Sequence, residues 1–346
     1  MLIRRISVMV LLVPLLGGCA NLGYYWQSVG GQMEIWKKEQ PITTLLADPA
    51  LSPDLKRRLE SVLRMREFAS RELALPDNGS YRKYADLHRP YVLWNVFAAP
   101  EFSLKPREWC FVIAGCVSYR GYFSESEAER FADDERGRGY DVFVAGVPAY
   151  STLGWFDDPV LNTFIYFPET EVARLIFHEL AHQLVYVKDD SMFNESFAGT
   201  VEEEGVSRWL VENGSVEQRA AFDAAQQRKK DFVQLVLKYR SRLDELYSST
   251  ISDAEKRESK RQIFSELRQE HTHLKASWGG FSGYDRWFTP EANNAYLASV
   301  AAYTQLVPAF KRLLAGQDGN FARFYQEVKE IAKLPKAERL ARLEGR

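Results

Sequence analysis

Glu171-Val172-Ala173-Arg174-Leu175-Ile176-Phe177-His178-Glu179-Leu180-Ala181-His182 is followed, after a short polar interruption at 188–191, by Phe193-Asn194-Glu195-Ser196-Phe197-Ala198. The run from 171 to 187 has helical periodicity and contains neither Gly nor Pro. On a helix, residues four apart share a face one turn apart, so His178 and His182 can bind the same ion. Glu179 follows the first ligand around the helix and can point at a water activated by that ion. The chain has only five histidines, which makes this spacing informative. A catalytic zinc wants a third protein ligand and one open position. Glu195, in the first turn of a second helix returning after a short connection, is the best third ligand. In the cluster Glu202-Glu203-Glu204, Glu202 lies seven residues on and shares the face of Glu195. It is expected to orient a ligand histidine, and as the alternative to be the ligand itself.

Around this core the 346-residue chain is 27% charged and 46% hydrophobic, with 14 Pro and 21 Gly, which excludes disordered, collagen-like and low-complexity classes. Lys and Arg total 45 against 47 Asp and Glu, so no global field collects nucleic acid, and none is expected as a partner. At the start, Arg4 and Arg5 precede an apolar run at 8–16 that closes in Leu16-Gly17-Gly18-Cys19. The run is too short for a permanent spanning helix. This layout resembles a bacterial lipoprotein signal, which implies cleavage before Cys19 and lipid on its thiol. Ala20 and Asn21 lack the aspartate that retains lipoproteins at the inner membrane, so the resemblance implies an outer-membrane anchor, with the body in the periplasm. In that oxidising compartment Cys110 and Cys116 read as a local disulfide; the alternative is a pair of buried thiols in an apolar strand.

Residues 52–73 have helical spacing, and Pro76-Asp77-Asn78-Gly79 breaks them off. Strands are expected at 91–97, 109–118, 140–147 and 163–167, with a helix at 124–138 opened by the Ser124 to Glu127 capping pattern. Beyond 169 come two closely spaced helices and then a charge-rich amphipathic stretch at 215–273 that reads as a solvated helical hairpin. Strands before the His-Glu motif and helices after it argue for an α+β fold. The expected division is a signal at 1–18 and one domain at 19–346: a mainly helical part at 19–105, strands and metal-binding helices at 106–211, and a helical part at 212–346.

The pair His178-Glu179-Leu180-Ala181-His182-Gln183 and Asn194-Glu195-Ser196-Phe197-Ala198 resembles the zinc aminopeptidases of the thermolysin-like, or gluzincin, class, which carry an Asn-Glu-Gly-Phe-Ala segment. Two departures are a shorter linker between the motifs and Ser196 in place of the glycine. More closely, nearly the whole mature chain resembles a family of bacterial lipoproteins known as predicted aminopeptidases. The similarity lies in Trp109-Cys110, Ala114-Gly115-Cys116, the Tyr119 to Phe123 segment, the Gly146 to Pro159 segment and the metal motifs.

The resemblance implies a zincin-like catalytic domain, one zinc on His178, His182 and Glu195, and Glu179 as general base in hydrolysis of a peptide substrate. Among Tyr284, Tyr296 and Tyr303 it favours Tyr303 as the electrophile facing the oxyanion. His271 and His273, in a charged helix, are expected to be exposed. A strand ending in Gly154-Trp155-Phe156 is expected to pair with an extended substrate, the alternative being a turn with an aromatic anchor. Asp157 and Asp158 are read as turn residues or, alternatively, as acceptors of a substrate α-amine. The functional expectation is an envelope zinc aminopeptidase. Its alternatives are a metalloendopeptidase and a non-catalytic, zinc-stabilised envelope binding protein.

Overall fold

The structure, a computed structural model, describes the backbone of residues 19–111 and 115–345 and, within these, all side chains except those of 19–22 and 301–304. The leader expected at 1–18 and the Cys19 side chain lie outside the described residues.

The chain opens with α1 (Cys19–Lys38), β1 (Gln40–Pro41), α2 (Ile42–Leu46) and the long α3 (Pro53–Leu73). Ser52 caps α3 by accepting a hydrogen bond from the Leu55 amide, and Pro53 occupies its first turn, where a missing N–H costs nothing. Next come β2 (Lys83–Ala85), β3 (Leu93–Pro100), β4 (Trp109–Phe111), β5 (Gly115–Val117), β6 (Arg120–Tyr122) and α4 (Glu125–Gly137). They are followed by β7 (Tyr140–Val147), β8 (Val160–Leu161) and the single-turn α5 (Asn162–Ile165). The main sheet has the order β6-β3-β7. Its β3–β7 ladder is antiparallel from Leu93 opposite Val147 to Pro100 opposite Tyr140. Ala128 and Ala132 of α4 pack on Trp94, Val96 and Val142 of this sheet. The central strand β3 therefore precedes residue 106 in sequence yet pairs with strands that follow it.

From there the chain is helical: α6 (Glu169–His182), α7 (Ser191–Asn213), α8 (Val216–Ser248), α9 (Asp253–Ser277), α10 (Asn294–Thr304), α11 (Val307–Ala315), α12 (Phe321–Ala332) and α13 (Lys336–Glu344). The fold is α+β. Helices α8 and α9 form the hairpin read from the charge pattern, each opened by a reciprocal capping box, Ser215 with Gln218 and Ser252 with Glu255. The main core joins α3, α6 and α7 to α11 and α12 through Phe68, Phe177, Phe197, Phe310 and Phe324. Gly205 marks where α7 approaches most closely, since a Cβ there would lie 2.8 Å from Leu73 and 2.9 Å from Phe177.

Four expectations are corrected. The apolar run at 109–118 is not one strand: β4 and β5 are antiparallel, with Cys110 opposite Cys116 and the two bonded as a disulfide. The run at 163–167 begins as the helical turn α5, because the Asn162 side chain accepts from the Leu87 amide at 2.8 Å and donates to Arg89 O at 3.1 Å, which folds the chain back after β8. No strand ends at Gly154, Trp155 and Phe156, since β7 stops at Val147. Residues 152–156 are a turn in which the Thr152 carbonyl accepts from the Trp155 amide and the Thr152 hydroxyl from the Phe156 amide. Gly154 sits there at φ 81°, a conformation open to glycine. Finally, His271 is buried and stacked on Phe288 with centroids 3.9 Å apart, because α9 turns this residue to the hairpin core; His273 is exposed.

One long-range clamp fixes the start of α7. Asp190 caps it, accepting from the Phe193 amide, and its carboxylate takes two hydrogen bonds from Arg339 of α13, at 3.1 and 2.8 Å. Both side chains are buried. Removing one partner leaves the other charge buried and uncompensated, so Arg339→Ala is expected to lower the free energy of unfolding by about 3 kcal/mol in denaturant titration.

Candidate metal centre

Helix α6 carries acidic residues in its first turn, where they complement the helix dipole, and buries an apolar face of Val172, Leu175, Ile176 and Leu180. This fixes its rotation, and the helical period then brings His178 and His182 together. Their Nε2 atoms are 3.1 Å apart. Past the C-cap at Gln183 the chain reverses. Asn194 closes the reversal by accepting from the Val187 amide and donating to the Val187 carbonyl, both at 2.8 Å. One residue on, Glu195 Oε2 lies 3.3 Å from His178 Nε2 and 3.7 Å from His182 Nε2. The three ligand atoms all fall within 4.8 Å of one another. The neighbouring Ser196 is fully buried, and its hydroxyl accepts from the Leu306 amide at 3.2 Å, tying α7 to the start of α11.

Behind the triad, Glu202 Oε2 is 2.8 Å from His178 Nδ1. Arg174 donates to the same oxygen at 3.0 Å and Lys229 to the other at 3.3 Å. Burial alone would raise the Glu202 carboxyl, but Arg174, Lys229 and His178 hold it well below the usual range. Glu195 behaves alike: burial opposes ionisation, and the charges and hydrogen bonds of the two histidines pull it down to about 2. Burial would likewise lower His178, yet its hydrogen bonds to Glu195 and Glu202 and their charges push it up to about 10. Two ionised, buried carboxylates thus draw positive charge to the histidine pair. Two ring nitrogens and a carboxylate oxygen converging in that field are the donor set a divalent cation of the zinc type takes. The residues fit a metal.

Glu179 is buried beside the triad; desolvation and the charge of Glu195 raise its carboxyl against the lowering effect of the two histidines. Ser151 reaches its backbone carbonyl, at 3.5 Å. Two tyrosines that no sequence pattern singled out lie within electrostatic reach of this group. Tyr119, between β5 and β6, is raised first by burial and then by the charges of Glu195, Tyr186 and Glu179, so it stays protonated. The hairpin before it docks on the α6–α7 turn, the Cys116 amide donating to Asp189 at 2.5 Å. Tyr81 is buried at φ 61°, its hydroxyl has no partner among the described residues, and Glu179 and Asp158 add to the effect of burial on it. The one sequence signal was that Tyr119 opens the segment at 119–123 that carries the family resemblance.

The remaining candidates are placed elsewhere. Tyr303 lies on α10, with its side chain outside the described residues. Tyr284 stacks on Phe232 and Tyr296 on Phe143, both as packing. A Cβ at Gly154 would lie 3.6 Å from Gln183 at the C-cap of α6, and with Trp36 and the exposed Trp155 the glycine borders a cleft of about 360 Å³. Asp158 is buried and accepts from the Thr152 amide; burial and the charge of Glu179 push it up to about 7 against that bond.

Residues 23–343 match a protein family described as "Putative aminopeptidase". The chain belongs to this family. No curated protein and no solved structure matches it.

In this member of the putative aminopeptidase family, the Glu202 carboxylate lies at 2.8 Å from His178 Nδ1, where a partner steadies the ring of a metal-binding histidine. Glu202→Gln is therefore expected to weaken binding of a divalent metal by about 10- to 100-fold in isothermal titration.

Proposed function

We propose that this protein is a zinc-dependent peptidase of the cell envelope, an aminopeptidase in keeping with its family, held at the membrane by lipid on Cys19. The reading includes a zincin-like arrangement in which His178, His182 and Glu195 hold one zinc and Glu202 orients His178. The observation that carries it is the buried carboxylate of Glu179 next to three convergent ligand atoms. A purely structural metal has no use for a base beside its ligands.

Zinc bound there would supply Lewis acidity to a substrate carbonyl and lower the pKa of water at the site. Glu179, in a dry environment that weakens its acidity, takes the proton of the attacking water and hands it to the leaving amine. Tyr119, kept protonated, donates to the oxyanion that develops. Tyr303, which the family resemblance favours, is the alternative donor. Strand β7, at an edge of the main sheet, offers backbone groups for an extended peptide, although Asn293 occupies the Val142 carbonyl at 3.1 Å.

The test uses the mature chain from residue 19, with Cys19→Ser, on a peptide library half free and half acetylated at the N-terminus, read by mass spectrometry. Single-residue trimming confined to free N-termini is expected. Internal cuts in both halves would make the protein an endopeptidase instead. Glu179→Gln should abolish cleavage and keep the metal. No difference between the wild type and this variant on any peptide would replace the enzyme by a zinc-stabilised binding protein. Tyr119→Phe is expected to lower kcat by about 10²- to 10³-fold with little change in KM. The same loss in Tyr303→Phe, with Tyr119→Phe unaffected, would move the role to Tyr303.

A further inference from the structure

Helix α1 is apolar on two sides, and only one of them is covered. On the covered side, Tyr24 stacks on Phe111 and lies under the Arg120 guanidinium, Gly31 abuts Phe123, and Ile35 is buried. The Gln27 side chain accepts from the Phe123 amide at 3.0 Å, fixing the helix rotation. On the opposite side Tyr25, Trp26, Val29, Met33 and Trp36 recur at helical spacing, and all are exposed, Trp26 to 79%. Trp36 meets Phe156 edge to face at 4.8 Å, which extends this surface to the exposed Trp155. An apolar helix face of this size left in water marks an interaction surface.

Its position says what covers it. The face begins nearly two turns after Cys19, so with a rise of 1.5 Å per residue Trp26 stands about 10 Å along the helix from that residue and Trp36 about 25 Å. No helix among the described residues is long and apolar enough to cross a membrane, so α1 does not span. A helix with Trp and Tyr on its free face and Lys37 near its end has the composition of one lying in the headgroup region. One acyl chain gives marginal attachment by itself, and a second apolar contact makes it stable. We propose that the exposed Tyr25–Trp36 face of α1, with Trp155, lies on the surface of a lipid bilayer and fixes how the protein sits on its membrane. The choice of a bilayer as partner rests on the anchor reading given above.

The experiment uses the mature chain with Cys19→Ser, so that no lipid contributes, and unilamellar vesicles of phosphatidylethanolamine with a minor fraction of phosphatidylglycerol. Sedimentation with vesicles is expected, and Trp26→Ser/Val29→Ser/Met33→Ser should reduce the affinity at least about tenfold, given the apolar area removed. Val211→Ser, an exposed apolar residue outside α1, should bind as the parent does. Brominated lipid should quench the parent's tryptophan fluorescence, and Trp26→Phe should reduce that quenching, a readout that does not depend on the triple variant folding. Failure of the parent to bind or to be quenched overturns the proposal, as does equal binding by the triple variant. A dimer in sedimentation velocity that the triple variant loses, without vesicle binding, overturns it in favour of a second copy. The anchor is tested separately by the mass of the N-terminal peptide from cells: an unmodified Cys19 removes the anchor and leaves vesicle binding standing.

Discussion

The carboxylate of Glu202, buried between Arg174, Lys229 and His178, is the constraint on which the rest of the centre depends. A lone carboxylate at that depth would protonate. Two cations keep it ionised, and the ionised group fixes the ring of His178 so that Nε2, and not Nδ1, faces His182 and Glu195. The three elements that supply these charges, α6, α7 and α8, are thereby locked in relative rotation at one point. The result is a pair of buried carboxylates, each held by cationic or ring-nitrogen partners, that keeps the three candidate donor atoms together.

Around it, the fold spends polar contacts on a single problem, the reversal between α6 and α7. Asn194 pins the turn from within, Asp190 caps the second helix, and Arg339, nearly at the end of the chain, holds that cap. Ser196 does the same on the far side of Glu195 by accepting from Leu306. The hydroxyl of Ser196 is thus used to attach the C-terminal helices to α7. The helical C-terminal part therefore acts on the position of Glu195, far from it in sequence.

Much of this was legible in the chain. Capping residues, helical periods and the breaker at 76–79 located α3 and α4 to within a residue and found the α6–α7 pair, because these signals act over one or two turns and need no partner; α6 nevertheless ends at His182, five residues short of the helical run read to 187. The triad was readable for the same reason, its histidines sharing one helix face and Glu195 following after a short turn. Strand reading was poorer. The segments 109–118 and 163–167 have β-prone composition, yet a strand forms only where another lies beside it. One became a hairpin, and the other found Leu87 and Arg89 to bond in place of a ladder. The edge expected at Gly154 and Trp155 failed at the same point, since the chain past Val147 bonds to itself.

The sequence by itself determined the α+β class, the helix pair with its two histidines and glutamates, and the charged hairpin, all set by interactions between residues near one another along the chain. Only the tertiary structure decided that Tyr81 and Tyr119 come within electrostatic reach of Glu179, that Arg174 and Lys229 flank Glu202, that His271 is interior, and that one side of α1 is bare. Each of these depends on which surfaces meet across long stretches of chain. Such meetings are chosen by packing and by the pairing of buried charge, and no local pattern records them.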